Sequence, residues 1–354
     1  MKKIVVSLLI FFVIVSSIGL FYYIYSLKSV GSSKEEVEFN VSKGSNFYSI
    51  ASDLKKSGLI KSKLTYKIYI KTHKVSGIQK GVYVLNKGMS VEKIVSKLQG
   101  NSTNPNNVAI TFKEGYDIRT FIEQVTKKTN ITEEDINTKF HDKEYLTSLI
   151  NEYWFLTEDI LNDSLYYSLE GYLYPNTYQF DKKKVTIDYI IKTMLKQTDI
   201  QLSKYKNDME GNDYTIHQLF TLASVVELEG KNVSDRAGIA RVFYNRLNAN
   251  MNLGSDVTTY YGANVRLNER DLTETELNSD NGYNTRNAYM TGRLPIGPIC
   301  NPSIESIKAV LYPDNNDNMY FVSDKNGKIY FSKTYDEHNN IIAKLKSDGL
   351  WYEY

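Results

Sequence analysis

The stretch YTIHQLFTLASVVELEG, residues 214–230, is the segment from which the fold of this chain can be predicted outward. At about 100° per residue, one broad apolar face gathers five residues, as in a helix that buries one side against a core: Leu219, Leu222, Ala223, Val225 and Val226. Two acids, Glu227 and Glu229, lie in the last turn of this predicted helix. Gly230 follows directly, and glycine commonly ends a helix in the left-handed conformation. The pattern predicts a core helix that carries carboxyl groups at its carboxyl-terminal end.

The two acids are not equivalent on this helix. Glu229 is i+3 from Val226 and i+7 from Leu222, so it lies within the apolar face. Glu227 projects toward the more solvated side. Partial burial and the negative end of the helix dipole both disfavour a carboxylate, so the pKa of Glu229 should be raised, as a general acid requires. We expect Glu229 to be the catalytic candidate and Glu227 the second choice; the alternative is that Glu229 is an ordinary helix end whose carboxyl reaches water.

The amino terminus predicts a membrane anchor. Residues 4–27 carry no charged side chain, and at roughly 1.5 Å per residue they are long enough to cross a bilayer as a helix. The basic tail at residues 1–3 should stay in the cytoplasm and the bulk of the chain should lie outside, as a single-pass protein of the cell membrane. A cleaved signal peptide is the alternative, but the apolar run is longer than a typical signal core and no small-x-small site closes it.

Composition excludes several classes of function. Lys plus Arg number 43 against 41 Asp plus Glu, so no charge excess indicates a nucleic-acid partner. No pair of histidines has the spacing of a zinc site, no glycine-rich phosphate loop precedes a helix, and no nucleophile elbow is present. We therefore expect no metal and no cofactor. Acid–base catalysis by a carboxyl group is the class of chemistry that these observations leave open.

The chain predicts an α+β fold in two external domains. Residues 28–36 form a short polar linker after the anchor, and residues 37–100 follow the order strand, helix, helix, strand, helix, which makes a small α+β module. NSTNPNN at 101–107 is a second linker and the clearest domain boundary. Residues 108–354 then form a larger mixed α+β domain that includes the opening helix.

Several separated segments resemble, in the same order, the motifs of the YceG-like endolytic murein transglycosylases. They are LASVVELEG, ARVFYNRL, SDVTTYYG, YNT followed by LPIGPICNPS, and YFVSDKNGKIYFSKTYDEHN, with LEGYLYPNTYQF as the upstream signature. The resemblance covers roughly residues 37–345. It implies a membrane-anchored enzyme with a small LysM-like domain that cuts nascent peptidoglycan glycan strands outside the cytoplasmic membrane, with peptidoglycan synthases as expected partners. It also places the catalytic glutamate on the second acid of a motif like VExEG, which is Glu229.

The loops after the opening helix should complete the site. Together with the resemblance they imply a sugar-binding or supporting role for Asp256, Tyr261, Tyr283, Asn284, Asn301 and His338. For each of these residues the alternative is turn capping or hydrogen bonding in the core. The chain departs from the family pattern between YNT and LPIGP, where it carries a few extra residues, and either Arg286 or Tyr289 takes the aromatic position usual after YNT. Glu170 is expected to brace the fold.

One carboxyl group suffices for the implied reaction. A neutral Glu229 protonates the leaving oxygen of the β-1,4 bond between N-acetylmuramic acid and N-acetylglucosamine. The muramyl C6 hydroxyl then attacks C1 of the same sugar, and the Glu229 carboxylate takes up its proton, which gives 1,6-anhydro ends. A muramidase that hydrolyses the same bond would need a second acid, for which Asp256 is the candidate. A non-catalytic glycan-binding scaffold of the wall-synthesis machinery is the other alternative.

Overall fold

A computed structural model describes residues 2–32, 36–42, 44–73, 75, 77–78, 80–99 and 107–351. The chain divides into two compact units, Met1–Asn107 and Val108–Tyr354. Within the described residues the strands form three two-stranded sheets, and helices make up most of the remaining regular structure. The predicted α+β class is therefore confirmed. The predicted linker at 101–107 lies outside the described residues except for Asn107, and so do residues 33–35 of the first linker.

The first unit begins with the apolar helix α1, Lys2–Leu27. Its segment Ile10–Leu27 has a mean hydropathy of 2.0, and among the described residues α1 is the one helix long and apolar enough to cross a membrane. Strands β1 (Glu36–Val41) and β2 (Gly81–Asn86) then pair in antiparallel register, with Val41 opposite Gly81. The helices of this unit are α2 (Ala51–Lys56), α3 (Lys63–Thr72) and α4 (Val91–Gln99).

The core of this unit follows from two periodic patterns of buried residues, one in a strand and one in a helix. The burial of β1 alternates toward its end, so that Phe39 and Val41 face inward while their neighbours are exposed. In α4 the buried residues recur at helical spacing, as Val91, Ile94, Val95 and Leu98. The sheet face and the helix stripe meet in one apolar cluster. The element order is the strand–helix–helix–strand–helix order expected from the sequence.

The second unit contains the remaining elements, most of them helices. Strands β3 (Asn107–Phe112) and β4 (Asn176–Asp181) form one sheet, and β5 (Tyr320–Ser323) and β6 (Ile329–Ser332) form another. The helices are α5 (Ile118–Lys128), α6 (Glu133–His141), α7 (Lys143–Glu152), α8 (Ile187–Leu202), α9 (Lys206–Glu210), α10 (Ile216–Glu229), α11 (Arg236–Asn248), α12 (Asp256–Gly262), α13 (Glu274–Leu277), α14 (Ile304–Leu311) and α15 (Tyr335–Ser347).

Helix α10 is the central element of the second unit. Thr215 and Gln218 form a capping box that fixes its start. Every residue from Leu219 to Val226 is buried, including Thr221 and Ser224, so the expectation of one buried face is wrong. Helices α11 and α14 pack against α10, and the rest of the core encloses the side that the sequence pattern assigned to solvent.

Gly230 ends α10 for a different reason from the one predicted. Its φ is −94°, which is outside the left-handed region. A Cβ at this position would lie 2.7 Å from Cγ of Arg236 and 3.0 Å from the carbonyl oxygen of Val226. Glycine is needed here because the Arg236 side chain crosses directly over the backbone, not because the backbone needs a positive φ.

Candidate active site

Glu229 closes α10 with its side chain partly buried and its carboxyl group held by one hydroxyl. Oγ of Ser255 donates a hydrogen bond of 2.5 Å to Oε1 of Glu229. Among the described residues, Ser255 is the one side chain that donates a hydrogen bond to this carboxyl group. Burial raises the pKa of Glu229, and the nearby charge of Asp256 raises it further, while the Ser255 hydroxyl acts in the opposite direction. The result is a carboxyl group that retains its proton at a higher pH than an exposed glutamate.

Glu227 is bound in an ion pair and does not face solvent, so the prediction of a solvated side chain is wrong. Its side chain is 6% exposed, and both of its oxygens accept bonds of 2.9 Å from the guanidinium of Arg236. Oε2 also accepts hydrogen bonds from the backbone N–H and hydroxyl of Ser303 and from the hydroxyl of Ser306. Glu227 therefore ties the end of α10 to the starts of α11 and α14.

Ser303 is the last residue of the proline-containing loop LPIGPICNPS, residues 294–303, and has two roles there. It is the N-cap of α14, and its hydroxyl accepts from the backbone N–H of Ser306 while donating to Glu227. A serine here supplies both a helix cap and a ligand for the ion pair, two contacts that glycine lacks a side chain to make.

Arg246 lies between Glu229 and a group of aromatic rings. It donates to the backbone carbonyls of Met319 and Leu253, and burial lowers its pKa while the charge of Glu229 raises it. Its guanidinium carbon is 5.3 Å from the ring centre of Tyr320. His338 packs at a tilt against Tyr320, with ring centroids 5.4 Å apart, and stacks against Tyr335, with centroids 6.5 Å apart.

His338 lies near Arg246, and Arg246 lies near Glu229, so His338 belongs to the surroundings of the site. Burial and the Arg246 charge lower the pKa of His338, so the neutral ring is favoured at neutral pH. Its Nδ1 is buried without a hydrogen-bond partner among the described residues. A neutral, stacked imidazole of this kind can support the aromatic group or accept a hydrogen bond from a ligand.

Asp256 is at the rim of the site. It is the first residue of α12, directly after Ser255, and its side chain is 63% exposed. Its Oδ1 is 2.5 Å from a terminal nitrogen of Arg286. The negative charge of Asp256 therefore acts on Glu229 across solvent-accessible space and is partly offset by its own ion pair.

Asn284 and its neighbours hold the loop behind Ser255. The Asn284 amide donates to the carbonyls of Leu277 and Ser279, and its Oδ1 accepts from the hydroxyl of Thr259. One residue further, Oγ1 of Thr285 accepts from the backbone N–H of Ser255 at 3.1 Å. Asn284 is fully buried, so its role is to fix the loop that positions Ser255 against Glu229.

Tyr261 and Asn301 converge on a second buried acid, Glu170, rather than on Glu229. The Tyr261 hydroxyl donates to Oε2 of Glu170 at 3.1 Å, and the same oxygen accepts from the backbone N–H of Ile118 at 2.9 Å. The Asn301 amide lies 3.4 Å from Oε1. Burial, with the Asp117 charge next, raises the pKa of Glu170 to about 8. This network joins α5, α12 and the proline-containing loop.

Tyr283 is buried beneath two other tyrosines. Its ring centre is 4.9 Å from those of both Tyr166 and Tyr261, and its hydroxyl accepts from the backbone N–H of Tyr166. Like Asn284, it packs inside the fold. Of the six predicted residues, Asp256 is solvent-exposed beside Glu229, His338 is linked to it through Arg246, and the other four lie in the supporting core.

The residues of this site lie within a segment that matches a known protein family. The model of the YceG-like family matches residues 39–344 of the chain. The chain belongs to this family. A relative from Bacillus subtilis, named endolytic murein transglycosylase, is 37% identical over 316 residues, which cover 89% of this chain and 86% of that protein.

Other relatives of this YceG-like chain agree. A protein of the same name from Streptococcus pneumoniae is 34% identical over 370 residues, covering 99% of this chain and 66% of that protein. A crystal structure of a yceG-like protein from Listeria monocytogenes is 34% identical, has a TM-score of 0.61, and covers 87% of this chain and 100% of that one. The family membership predicted from the order of the motifs is confirmed.

Two residues of the YceG-like site escaped the sequence analysis. Ser255 lies inside the quoted SDVTTYYG motif, directly before Asp256, but serine before a helix is ordinarily a cap. Arg246 lies inside ARVFYNRL, where an arginine in the last turn of a helix is ordinarily a surface residue. The signal that could have identified them is their position inside two of the quoted motifs. Only the packing of α10, α11 and α12 brings them to Glu229.

Proposed function

We propose that the chain cleaves the β-1,4 bond between N-acetylmuramic acid and N-acetylglucosamine in nascent glycan strands, with Glu229 acting first as acid and then as base. The chain is an enzyme of the lytic transglycosylase class, to which its named relatives over most of its length belong. The observation that supports the roles is the partly buried Glu229 carboxyl, with its raised pKa and its hydrogen bond from Ser255.

The contacts of the two acids favour Glu229 over Glu227. Glu227 accepts two bonds from Arg236 and three from serines of the α14 start, so protonating it would weaken a buried ion pair. Among the described residues Ser255 is the side-chain donor to Glu229, and the raised pKa of Glu229 favours the protonated form that a general acid needs. Glu229 accepts fewer hydrogen bonds from the described residues than Glu227 does, so Glu229 is the acid that can exchange a proton with substrate.

The proposed steps balance with this single carboxyl group. Glu229 gives its proton to the oxygen of the leaving N-acetylglucosamine as the C1–O bond breaks. The C6 hydroxyl of the muramyl residue then forms the new bond to C1, and its proton passes to the Glu229 carboxylate, which restores the acid. The products are a free 4-hydroxyl on one strand and a 1,6-anhydro end on the other. No water is consumed.

Hydrolysis by a muramidase is the second candidate, and Asp256 is the residue that favours it. Asp256 lies next to Ser255 and exerts a charge on Glu229, so a water between the two acids could be activated by it. Its ion pair with Arg286 and its exposure weaken that role, because a paired, solvated carboxylate is a poor base. We therefore prefer the lytic reaction.

The membrane arrangement is part of the same proposal. We propose that α1 is retained as a single-pass anchor, with the amino terminus in the cytoplasm and the second unit outside, where nascent glycan is made. The apolar segment Ile10–Leu27 supports this assignment. A LysM-like role for the first unit and peptidoglycan synthases as partners remain predictions.

Product analysis tests the function. Full-length protein in detergent is incubated with uncrosslinked nascent glycan, and the ends are identified by mass spectrometry for wild type, Glu229→Gln and Glu227→Gln. We expect 1,6-anhydro ends from wild type and none from Glu229→Gln. Reducing ends would favour the muramidase. Full activity in Glu229→Gln would refute the assigned residue, and a folded wild type that cuts no glycan would favour the scaffold.

A further inference from the structure

A groove of about 720 Å³ lies beside the loop at residues 280–289, which also carries Thr285 and Arg286. We call it the tyrosine groove; Tyr166, Tyr283, Tyr289, Asp280, Asn281 and Asn287 are among the residues that line it. Its volume is within the roughly 300–1,000 Å³ that is usual for ligand sites. Glu229 does not line this groove. The reaction proposed for Glu229 does not involve the tyrosine groove.

Two tyrosine rings in this groove are exposed while their hydroxyls are tied to the protein. Tyr166 is 36% exposed and Tyr289 is 41% exposed. The Tyr166 hydroxyl donates to the carbonyl of Gly262 at 2.7 Å, and the Tyr289 hydroxyl donates to the carbonyl of Asn281. The hydroxyls hold the rings in position, so the surface offered to a ligand is largely the apolar ring.

The floor and the rim of the groove add complementary features. Tyr283 is buried below and packs against Tyr166, so it supports the exposed ring. Asp280 and Asn287 are polar groups that also line the groove; the Asn287 amide donates to the Asp280 carboxylate and holds it in place, and that carboxylate has further lone pairs with which to accept. Flat apolar surface bordered by such groups suits a pyranose ring, which has apolar C–H faces and hydroxyls around its edge.

One wall of the groove is formed by the short helical turn Ala288–Met290, which carries Tyr289. Asn287 caps that turn by accepting from the backbone N–H of Tyr289. The cap fixes the backbone that carries the exposed ring of Tyr289.

The same wall is connected to the Glu229 site. The Asn252 amide donates to the carbonyls of Arg286 and Asn287, at 3.1 and 2.8 Å. Thr285 accepts from the backbone N–H of Ser255, whose hydroxyl contacts Glu229. The segment at residues 280–289 thus lines the tyrosine groove and also supports Ser255 at the Glu229 site, so it connects two positions that one extended ligand can occupy.

We propose that the tyrosine groove binds an N-acetylhexosamine unit of the glycan strand at a distance from the bond that is cleaved, with Tyr289 and Tyr166 stacking on the sugar. This inference rests on the proposed function for the identity of the strand. It assigns Tyr289 to substrate binding in this chain and leaves Arg286 to the ion pair with Asp256. The groove would favour long strands over short ones.

Strand length separates this role from a structural one. Full-length Tyr289→Ala is compared with wild type on glycan strands of graded length, and Tyr189→Ala, which truncates a half-exposed tyrosine on α8, is the matched control. For long strands we expect KM to rise about twofold to tenfold, the value of one aromatic contact, with kcat nearly unchanged. For strands too short to reach the groove, Tyr289→Ala and wild type should be equal. Tyr289→Phe, which keeps the ring, should retain most of the binding.

Binding measured without cleavage keeps the test independent of the reaction. Uncut strands are titrated into Glu229→Gln with and without Tyr289→Ala. Weaker binding of long strands alone supports the groove even if wild type proves to be a hydrolase or a scaffold. Equal effects on short and long strands, or no effect on either, would overturn the proposal. An effect that disappears when stem peptides are removed would assign the groove to peptide and overturn the sugar assignment.

Discussion

Replacing each acid of α10 by glutamine should separate a structural role from a chemical one. Glu227 and Arg236 are 6% and 9% exposed in their side chains and share two bonds of 2.9 Å. Glu227→Gln leaves the guanidinium buried without its counter-charge, and breaking a buried pair costs roughly 3–5 kcal/mol. Because glutamine can still accept from Ser303 and Ser306, we expect about 3 kcal/mol, at the low end.

Glu229→Gln should behave in the opposite way. The Ser255 hydroxyl can still donate to the glutamine oxygen, and a carboxyl group that burial disfavours is removed. We expect a change in the free energy of unfolding of less than about 1 kcal/mol, because the exchange keeps the shape and the hydrogen bond of the side chain. Glycan cleavage should fall by at least about a hundredfold, the usual contribution of a general acid.

The assay is urea unfolding followed by tryptophan fluorescence, combined with the rate of glycan cleavage. The chain has 2 tryptophans, Trp154 and Trp351, and both lie in the second unit, so the signal reports on the unit that contains α10. The double variant Arg236→Met with Glu227→Gln serves as control and should recover part of the lost stability. If Glu227→Gln is as stable as wild type and as inactive as Glu229→Gln, the assignment of the two roles is refuted.

Three further predictions concern pH. Ser255→Ala removes the group that lowers the pKa of Glu229, so the fall in kcat/KM at high pH should move to higher pH; an unchanged profile would show that Glu229 does not set this limb. Asp256→Asn removes a charge that raises the pKa of Glu229, so the same fall should move slightly to lower pH while 1,6-anhydro ends persist; abolished activity would favour Asp256 as a second acid. Glu170 has a folded-state pKa of about 8, above its ordinary 4.5, so the folded state binds the extra proton and stability should decline as pH rises from about 4.5 to about 8. Glu170→Gln should flatten that decline in urea unfolding at several pH values, by a few kcal/mol at the alkaline end, and an unaltered slope would contradict the buried-acid assignment.

The short elements of both units follow from local patterns in the sequence. Alternation in β1 and the stripe of α4 predict their elements because only immediate neighbours decide which side is buried. The position of Glu229 at the end of α10 was predicted for the same reason. The surroundings of Glu227 were not, because its partner Arg236 and the serines of α14 approach from other parts of the chain.

Sequence patterns alone predict the order of elements, the apolar amino-terminal helix, the placement of two acids at the end of one core helix, and membership in the YceG-like family. These depend on periodicity, composition and the order of motifs, which are properties of the chain in one dimension. Packing, in contrast, establishes which acid is held in an ion pair and which has a raised pKa. It also brings Tyr261 and Asn301 to Glu170 and forms the tyrosine groove. Burial and charge depend on side chains far apart in the sequence, so they are defined only once α10, α11, α12 and α14 are packed.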